Sequence, residues 1–195
     1  MNKLVLDKEN IINISIDKDT ICNINKEYNI KELNIELKDN VKFIINHYSE
    51  IDKSELKINI IENNNSEFLY NHSFISKEDY NVYINVKMIG NKSKNTINIY
   101  GISDGGKSSV IIDGKVNENT IDNELDENIK LLNINNGTSN IYPNMYIDTK
   151  NVSANHSASI SLVNEDYIFY LMSKGINREN SIRLILDGFL NNEAR

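Results

Sequence analysis

Apolar and polar residues alternate in short runs along most of this chain, from Leu4 to about Leu162. Each run is rich in β-branched residues and is bounded by Asn, Asp, Gly, Ser or Lys. This is the pattern of a strand with one face on a core and the other in water. The clearest runs are residues 11–16, 20–24, 33–37, 41–45, 56–60, 82–86, 96–100 and 110–112. No helical pattern interrupts them, so the sequence predicts a β body over residues 1–162.

The spacing of the runs restricts the arrangement of the strands. They recur at irregular intervals of roughly 8–20 residues, which fits a β-sandwich or a β-solenoid but not a βαβ fold. Asn-rich corners and short polar turns favour the solenoid, because stacked turns accept ladders of Asn side chains. The repeat itself is too degenerate to be counted from the sequence.

The pattern changes at Asn164, which is followed by two acidic residues as at the start of a helix. Gly175 is typical of a helix C terminus, and Asn177 is typical of the start of a second helix. The apolar stripes of these helices are Tyr167, Tyr170 and Leu171, then Ile182, Ile185, Leu186, Phe189 and Leu190. Residues 163–195 are therefore predicted to form a helical hairpin that packs on the β body, on a partner, or on both.

Charge and cysteine content exclude several classes of function. The chain has 21 basic and 28 acidic residues and a net charge of −7, without a basic stripe, so nucleic acid is not an expected partner. Cys22 is the single cysteine, which excludes an internal disulfide and a Cys-only metal site. The first residues lack the apolar core of a signal peptide, and no segment approaches the ~18 apolar residues of a membrane span. We expect a cytoplasmic protein without a membrane partner.

Residues 101–108, Gly-Ile-Ser-Asp-Gly-Gly-Lys-Ser, match the P-loop pattern of nucleotide-binding proteins. A P-loop needs a helix that begins at the lysine, so that its amides face the phosphates. Here β-branched residues follow Lys107 and lead to Gly114. We therefore interpret the segment as a glycine-rich turn between two strands.

Catalytic and metal-binding patterns are weak. The three histidines, His47, His72 and His156, lack the spacing of metal ligands, and no nucleophile motif accompanies them. We therefore expect a protein that is not an enzyme. Aspartates near strand ends leave an alternative open, because such residues pair as acid and base in sugar-cleaving β-helix enzymes; they are Asp104, Asp113 and Asp148. The alternative function is a β-helix carbohydrate-active enzyme or binding protein.

From about Asp113 onward the sequence resembles the SufB/SufD family, the scaffold subunits of the SUF iron–sulfur cluster assembly system. Five segments carry the resemblance, and their order and spacing are specific together. They are IDGKV at 112–116, PNMYID at 143–148, ANHSA at 154–158, YIFYLMSKGI at 167–176 and IRLILDGFL at 182–190.

The resemblance implies a right-handed parallel β-helix followed by helices that dock an ABC-type ATPase, SufC. It also implies a non-catalytic scaffold that forms a homodimer or a heterodimer with another SufB/SufD-type subunit. The expected docking residues are Tyr167, Tyr170, Leu171, Ile182, Arg183, Ile185, Leu186 and Phe189.

In this family two β-helices pair near a histidine segment, where cluster assembly takes place, and the matching position here is His156. The chain departs from the family at two neighbours of this histidine. It has Ala154 where SufD-type members have cysteine, and Ser157 where SufB-type members have glutamate. Because no cysteine follows Cys22, we expect the isolated chain to bind no cofactor stably, and an iron–sulfur cluster to be shared transiently with a partner.

Overall fold

The structure is a computed structural model that describes residues 1–6, 9–26, 28, 30–51 and 54–191. Within these residues the chain forms thirteen strands followed by two helices. The strands are β1 (Asn2–Leu4), β2 (Ile11–Ile16), β3 (Thr20–Ile24), β4 (Glu32–Leu37), β5 (Lys42–Ile51), β6 (Ser54–Glu62), β7 (Glu67–Ser76), β8 (Tyr80–Met88), β9 (Lys94–Asp104), β10 (Lys107–Val116), β11 (Asn123–Ile134), β12 (Thr138–Ile147) and β13 (Val152–Leu162). The helices are α1 (Glu165–Ser173) and α2 (Arg178–Leu190).

The strands form two parallel sheets. The odd-numbered strands make a seven-stranded sheet in the order β1-β3-β5-β7-β9-β11-β13, and the even-numbered strands make a six-stranded sheet in the order β12-β10-β8-β6-β4-β2. Each strand therefore pairs with the second strand before it and the second after it, as the chain winds from one sheet to the other. The predicted β-solenoid is confirmed.

The core fills the space between the two sheets, which we call the lumen. Every second residue of the central strands is buried, as alternation along a strand requires. Because the pairing is in register, like side chains stack along the solenoid: Ile58 of β6 aligns with Ile84 of β8, which aligns with Ile112 of β10. Phe43 and Phe68 are also in register, and their rings pack at a tilt of 45° with centroids 5.9 Å apart.

Ladders of Asn side chains run along the outer face of each sheet. On the seven-stranded sheet each amide donates to the residue one turn earlier at 2.9–3.1 Å, through Asn23, Asn46, Asn71, Asn98 and Asn128. The sequence separation of bonded neighbours grows from 23 to 30 residues along this ladder. The turns therefore lengthen along the chain, which explains why no fixed period is visible in the sequence.

Asn and Asp also form the corners that lead from the six-stranded sheet to the seven-stranded sheet. The side chain of Asp39 accepts a hydrogen bond from the backbone N–H of Asn64, and Asn64 accepts one from Asn91 in the same way. The residue after each of these corners has a positive φ, of 60° at Asn40 and 53° at Asn65. Asn tolerates this left-handed conformation and bonds to nearby backbone, so it suits the position.

Candidate functional site

The C-terminal hairpin has the caps that the sequence predicts. The Asn164 side chain accepts a hydrogen bond from the N–H of Asp166, and the Asn177 side chain accepts one from Asn180. Gly175 lies between the helices with a φ of 88°, a conformation that glycine adopts without strain. These contacts fix both helix starts and the sharp turn between them.

The second helix lies on the outer face of the seven-stranded sheet. Its Phe189 ring meets Tyr100 of β9 edge to face, with centroids 5.8 Å apart. The Ser73 hydroxyl of β7 donates to the carbonyl of Leu190 at 3.2 Å. Leu186 borders a groove that Ile75 of β7 also lines. The apolar stripe of α2 therefore faces its own β-helix.

The first helix is mostly uncovered. Ile168 is its buried residue, and Leu171 is half-buried. The exposed apolar side chains, which we call the hairpin anchors, are Tyr167 (63% exposed), Phe169 (59%), Tyr170 (61%), Met172 (40%) and, on α2, Leu184 (50%). Single exposed apolar residues are common, but several large ones on one short helix are typical of a protein-binding surface.

The β-helix ends at β12 and β13, which are the outermost strands of their sheets at the C-terminal end. The inward residues of these strands lie in register with buried residues of the preceding turn, yet they are half-buried or exposed. Examples are Ile141, which aligns with Val110, and Ala158, which aligns with Ile129. The described residues place no further layer over them, so this end of the lumen is open.

His156 lies on β13 at this open end, and its side chain is exposed. Its register partner is Glu127 of β11, whose side chain is fully buried in the lumen. In-register residues of parallel strands point to the same face, so His156 also faces the lumen side. The two side chains thus occupy adjacent layers, one closed and one open.

The Glu127 carboxylate has no hydrogen-bond partner among the described residues. Burial, together with the nearby charge of Asp113, raises its pKa to about 8. Gly114 provides the space for it: a Cβ on Gly114 would lie 2.8 Å from Oε1 of Glu127. The carboxylate therefore rests against bare backbone.

The segment that resembles a P-loop is a turn. β9 ends at Asp104 and β10 begins at Lys107, so a strand follows the lysine in place of a helix. Gly105 has a φ of 79°, and a Cβ on Gly106 would lie 2.2 Å from the Glu78 carbonyl oxygen. Both glycines are thus needed for the turn, and the interpretation from the sequence is confirmed.

The other two histidines are buried in the middle of the lumen. His47 and His72 stack with ring centroids 4.3 Å apart, and His47 shares hydrogen bonds of 2.9 Å with Tyr70 and Ser49. Burial lowers the pKa of His47 to about 3, and it lowers that of His72 as well. Both imidazoles are therefore neutral core groups near pH 7.

The remaining candidates from the sequence are engaged elsewhere. Cys22 is buried, which raises its pKa to about 11 and disfavours the thiolate that metals bind. Asp104 accepts a hydrogen bond from Asn135, and Asp113 accepts one from Asn144. Over the part of the chain that the structure describes, no three His, Cys, Asp or Glu side chains are grouped to hold a metal ion. No helix there is long and apolar enough to span a membrane.

Comparison with protein families matches residues 20–189 to the SufBD core domain of the SUF system for FeS cluster assembly. The chain belongs to the SufBD family. The resemblance in the C-terminal half is thus confirmed, and the family match extends back to residue 20. SufBD proteins are components of iron–sulfur cluster assembly, and this chain shares their core domain.

Individual relatives agree with the family match. The SufBD family protein ycf24 of Galdieria sulphuraria is 30% identical over 146 residues, which are 75% of this chain and 54% of the relative. The ycf24 protein of Porphyra purpurea is 33% identical over 104 residues, 52% of this chain and 21% of the relative. The iron–sulfur cluster assembly protein SufB of Bacillus subtilis is 41% identical over 56 residues, 29% of this chain and 12% of the relative. The chain thus matches only part of each relative's length.

The structure divides the predicted docking residues into two groups. Tyr167, Tyr170 and Arg183 are exposed. The half-buried residues are Leu171 of α1 and Ile182, Ile185, Leu186 and Phe189 of α2. Sequence reasoning did not single out Phe169 or Glu127. The sequence did contain a signal for Glu127. The inward residues of β11 around it, at 125, 129 and 131, are apolar, so a charged residue at 127 stands out.

Proposed function

We propose that this SufBD protein is a scaffold subunit of a SUF-type assembly complex. The hairpin anchors bind a SufC-type ABC ATPase, and the open end of the lumen pairs with a second β-helix. ATP-driven movement of the ATPase then changes how the two β-helices meet, so the chain transmits motion and does not itself catalyse a reaction. A transient iron–sulfur cluster forms near His156 and is shared with the paired subunit.

The exposed aromatic residues of α1 are the observation that carries the docking proposal. The stripe of α2 holds the hairpin on the sheet through contacts such as Phe189 on Tyr100. This leaves Tyr167 and Tyr170 of α1 in solvent, each more than 60% exposed. Large aromatic side chains on a fixed helix bind partners well, because little side-chain entropy is lost when they enter a groove. Arg183 lies on the outward side of α2, where it can add a charged contact.

Exposed inward residues support the pairing proposal. In each earlier turn these positions are covered by the next turn, and at β12 and β13 nothing in the described chain covers them. Covering apolar side chains such as Ile141 and Ile160 with a second β-helix would remove them from water. The second β-helix can be another copy of this chain or a SufB/SufD-type subunit, because both present the same kind of strand edge.

Binding to an immobilised SufC-type ATPase from the same cell tests the docking surface. We expect Tyr170→Ala to weaken binding about thirtyfold, since losing one aromatic anchor typically costs about 2 kcal/mol. Arg183→Glu should weaken it as well. The melting temperature should not change in either variant, because both side chains are exposed in the free chain.

Ile61→Ala is the matched control, since Ile61 is a 40% exposed apolar residue on β6, in the other sheet. Its binding should equal that of the unaltered chain. The docking proposal is contradicted if Tyr170→Ala and Arg183→Glu also bind normally. If Phe189→Ala then loses both its stability and its binding, the hairpin only covers the sheet and the ATPase docks elsewhere.

A further inference from the structure

We propose that Glu62 and Asn95 form a closed acid–amide pair that fastens the two sheets of the β-helix together, and that the pair opens when its proton is lost. In the closed pair the Asn95 amide N–H donates to one carboxyl oxygen of Glu62. The protonated second oxygen of Glu62 donates back to the Asn95 carbonyl oxygen. The pair is a pH-sensitive fastening inside the lumen, and it does not depend on ATPase docking or on the pairing of β-helices.

The two residues lie on opposite sheets and both point into the lumen. Glu62 is the last residue of β6 in the six-stranded sheet, and Asn95 is the second residue of β9 in the seven-stranded sheet. Both residues are 0% exposed. The Nδ2 of Asn95 donates a hydrogen bond to the Oε1 of Glu62, so the contact joins the sheets across 33 residues of sequence.

One polar atom on each side chain is left over after this hydrogen bond. The Oε2 of Glu62 and the Oδ1 of Asn95 are buried and have no hydrogen-bond partner among the described residues. Buried polar groups in proteins are nearly always paired. A carboxylate oxygen and an amide oxygen cannot pair with each other, because both are acceptors. A protonated carboxyl group is a donor, so a single proton provides a partner for both atoms.

The serine hydroxyls at this corner of the lumen are already engaged. The Ser66 hydroxyl lies close to the Glu62 carboxyl group, but it donates to the backbone carbonyl of Asn63 at 2.8 Å. The Ser93 hydroxyl donates to the same carbonyl at 2.6 Å. Because a hydroxyl group has one hydrogen, neither serine has a second donor for the two leftover oxygens. The proton on Glu62 itself is therefore the donor that fits.

The neighbouring turns surround the pair with apolar side chains. The residues in register with Glu62 or Asn95 are Leu37 of β4, Met88 of β8, Phe68 of β7 and Leu125 of β11. All four are fully buried, and none of them carries a charge that could balance a carboxylate. Burial raises the pKa of Glu62 to about 8, although the nearby Asn95 and Ser66 act to lower it. The carboxyl group is therefore mostly protonated at pH 7.

Isosteric exchange of acid and amide tests the pair in the full chain, by denaturant unfolding between pH 5 and 8. Glu62→Gln creates an amide–amide pair that keeps both hydrogen bonds and cannot ionise. Glutamic acid in the unfolded chain ionises near pH 4.5, whereas folded Glu62 holds its proton to about pH 8. The folding equilibrium constant of the unaltered chain, relative to Glu62→Gln, should therefore fall about tenfold per pH unit and level off above pH 8.

Combining Glu62→Gln with Asn95→Asp is the decisive variant, because it exchanges the acid and the amide without changing the length of either side chain. The acid then lies on β9 and the amide on β6, and the same two hydrogen bonds can form. We expect the fall of about tenfold per pH unit to return. Asn95→Asp alone places two carboxyl groups together and should steepen the fall toward about a hundredfold per pH unit, since two protons must be held.

Glu118→Gln is the matched control, because Glu118 is an exposed glutamate in the turn between β10 and β11. Its folding equilibrium constant, relative to the unaltered chain, should stay constant between pH 5 and 8. The infrared difference spectrum between the unaltered chain and Glu62→Gln gives a second measurement that needs no unfolding. At pH 7 it should contain the carbonyl stretch of a protonated carboxyl group.

Three results would overturn the proposal. A carboxylate band in that difference spectrum, or a ratio for Glu62→Gln that stays constant from pH 5 to 8, means that folded Glu62 is ionised. If the double exchange does not restore the pH dependence, the proton is held without Asn95. For the opening step we expect faster amide hydrogen exchange at residues 63–66 in the unaltered chain than in Glu62→Gln at pH 9, and equal exchange at pH 6. Equal exchange at both pH values means that loss of the proton does not open the pair.

Discussion

Two of the regions in which polar side chains face the lumen differ in how those groups are satisfied. In the middle, His47 bonds to Tyr70 and Ser49 and stacks on His72. In the last closed layer Glu127 has no partner. We call His47, Ser49, Tyr70, His72 and Tyr80 the middle cluster. Among the described residues, two of its polar atoms lack a hydrogen-bond partner, the Nδ1 of His72 and the hydroxyl of Tyr80.

This difference separates polar groups that belong to the core from polar groups that the fold leaves available. A buried group that is hydrogen-bonded costs little, whereas an unpaired one costs about 1–3 kcal/mol. The hydrogen-bonded His47 therefore needs no ligand to explain it. Glu127 lies next to the open end, and stability of the free chain does not explain its presence.

Large-to-small substitutions should show the greatest contrast between the two regions. Phe74 is fully buried, packs on Tyr80 with centroids 4.9 Å apart, and covers Gly101. We expect Phe74→Ala to lower the free energy of unfolding by about 3–5 kcal/mol, because it leaves a cavity between closed layers. Met145→Ala at the half-buried open end should cost about 1 kcal/mol or less in the free chain.

Denaturant unfolding of both variants measures this contrast. Equal losses would mean that the open end is as tightly packed as the middle. If Met145→Ala becomes much more destabilising only at protein concentrations where the chain pairs, the open end is buried by the second subunit, as proposed.

The pH dependence of stability should report the middle cluster. The folded pKa of His47 is about 3, against an ordinary value of 6.5, so the unfolded chain binds the proton more readily. The stabilisation of the folded chain by neutral His47 is therefore complete above pH 6.5, and it is lost as the pH falls toward 3. At pH 5 the loss is about 2 kcal/mol for this one group, at 1.4 kcal/mol per pH unit.

His47→Gln reports this effect together with its coupling to His72, because the difference between its unfolding curve and that of the unaltered chain cancels the groups that titrate independently of His47. We expect the difference in free energy of unfolding to shrink steadily below pH 6.5. One of those other groups acts in the opposite direction: burial raises the pKa of Glu62 to about 8, so its contribution is lost as the pH rises from 4.5. A difference that stays constant from pH 7 to 5 would contradict a buried, neutral His47.

Local features of this fold could be predicted from the sequence, but long-range pairing could not. The clearest alternating runs fall on eight of the thirteen described strands, β2 to β6 and β8 to β10. Asn164 and Asn177 marked the helix starts, and the β-branched residues after Lys107 showed that no P-loop forms. The turn length changes from 23 to 30 residues along one ladder, so the sequence could not show that Glu127 and His156 share a column.

What covers the helical hairpin is also a long-range property. Helical periodicity identified the apolar stripe of α2, but periodicity does not say what covers a stripe, and here it is the protein's own sheet. The Asn-rich corners, by contrast, had favoured a solenoid from the sequence, because stacked turns accept ladders of Asn side chains. In the structure they form ladders and corners, since a side chain that both donates and accepts can repeat on every turn.

The Asn ladder provides the smallest contrast between the two regions. Asn71 donates to Asn46 and accepts from Asn98, so it is bonded on both sides, whereas Asn155 at the open edge donates only to Asp126 among the described contacts. We expect Asn71→Ala to cost about 1–3 kcal/mol, from two hydrogen bonds worth roughly 0.5–1.5 kcal/mol each, and Asn155→Ala to cost about half as much from its one bond. Thermal unfolding of the two variants under identical conditions gives the comparison. If both variants melt together with the unaltered chain, the ladder bonds merely replace bonds to water, and the stability of the β-helix comes from the lumen alone.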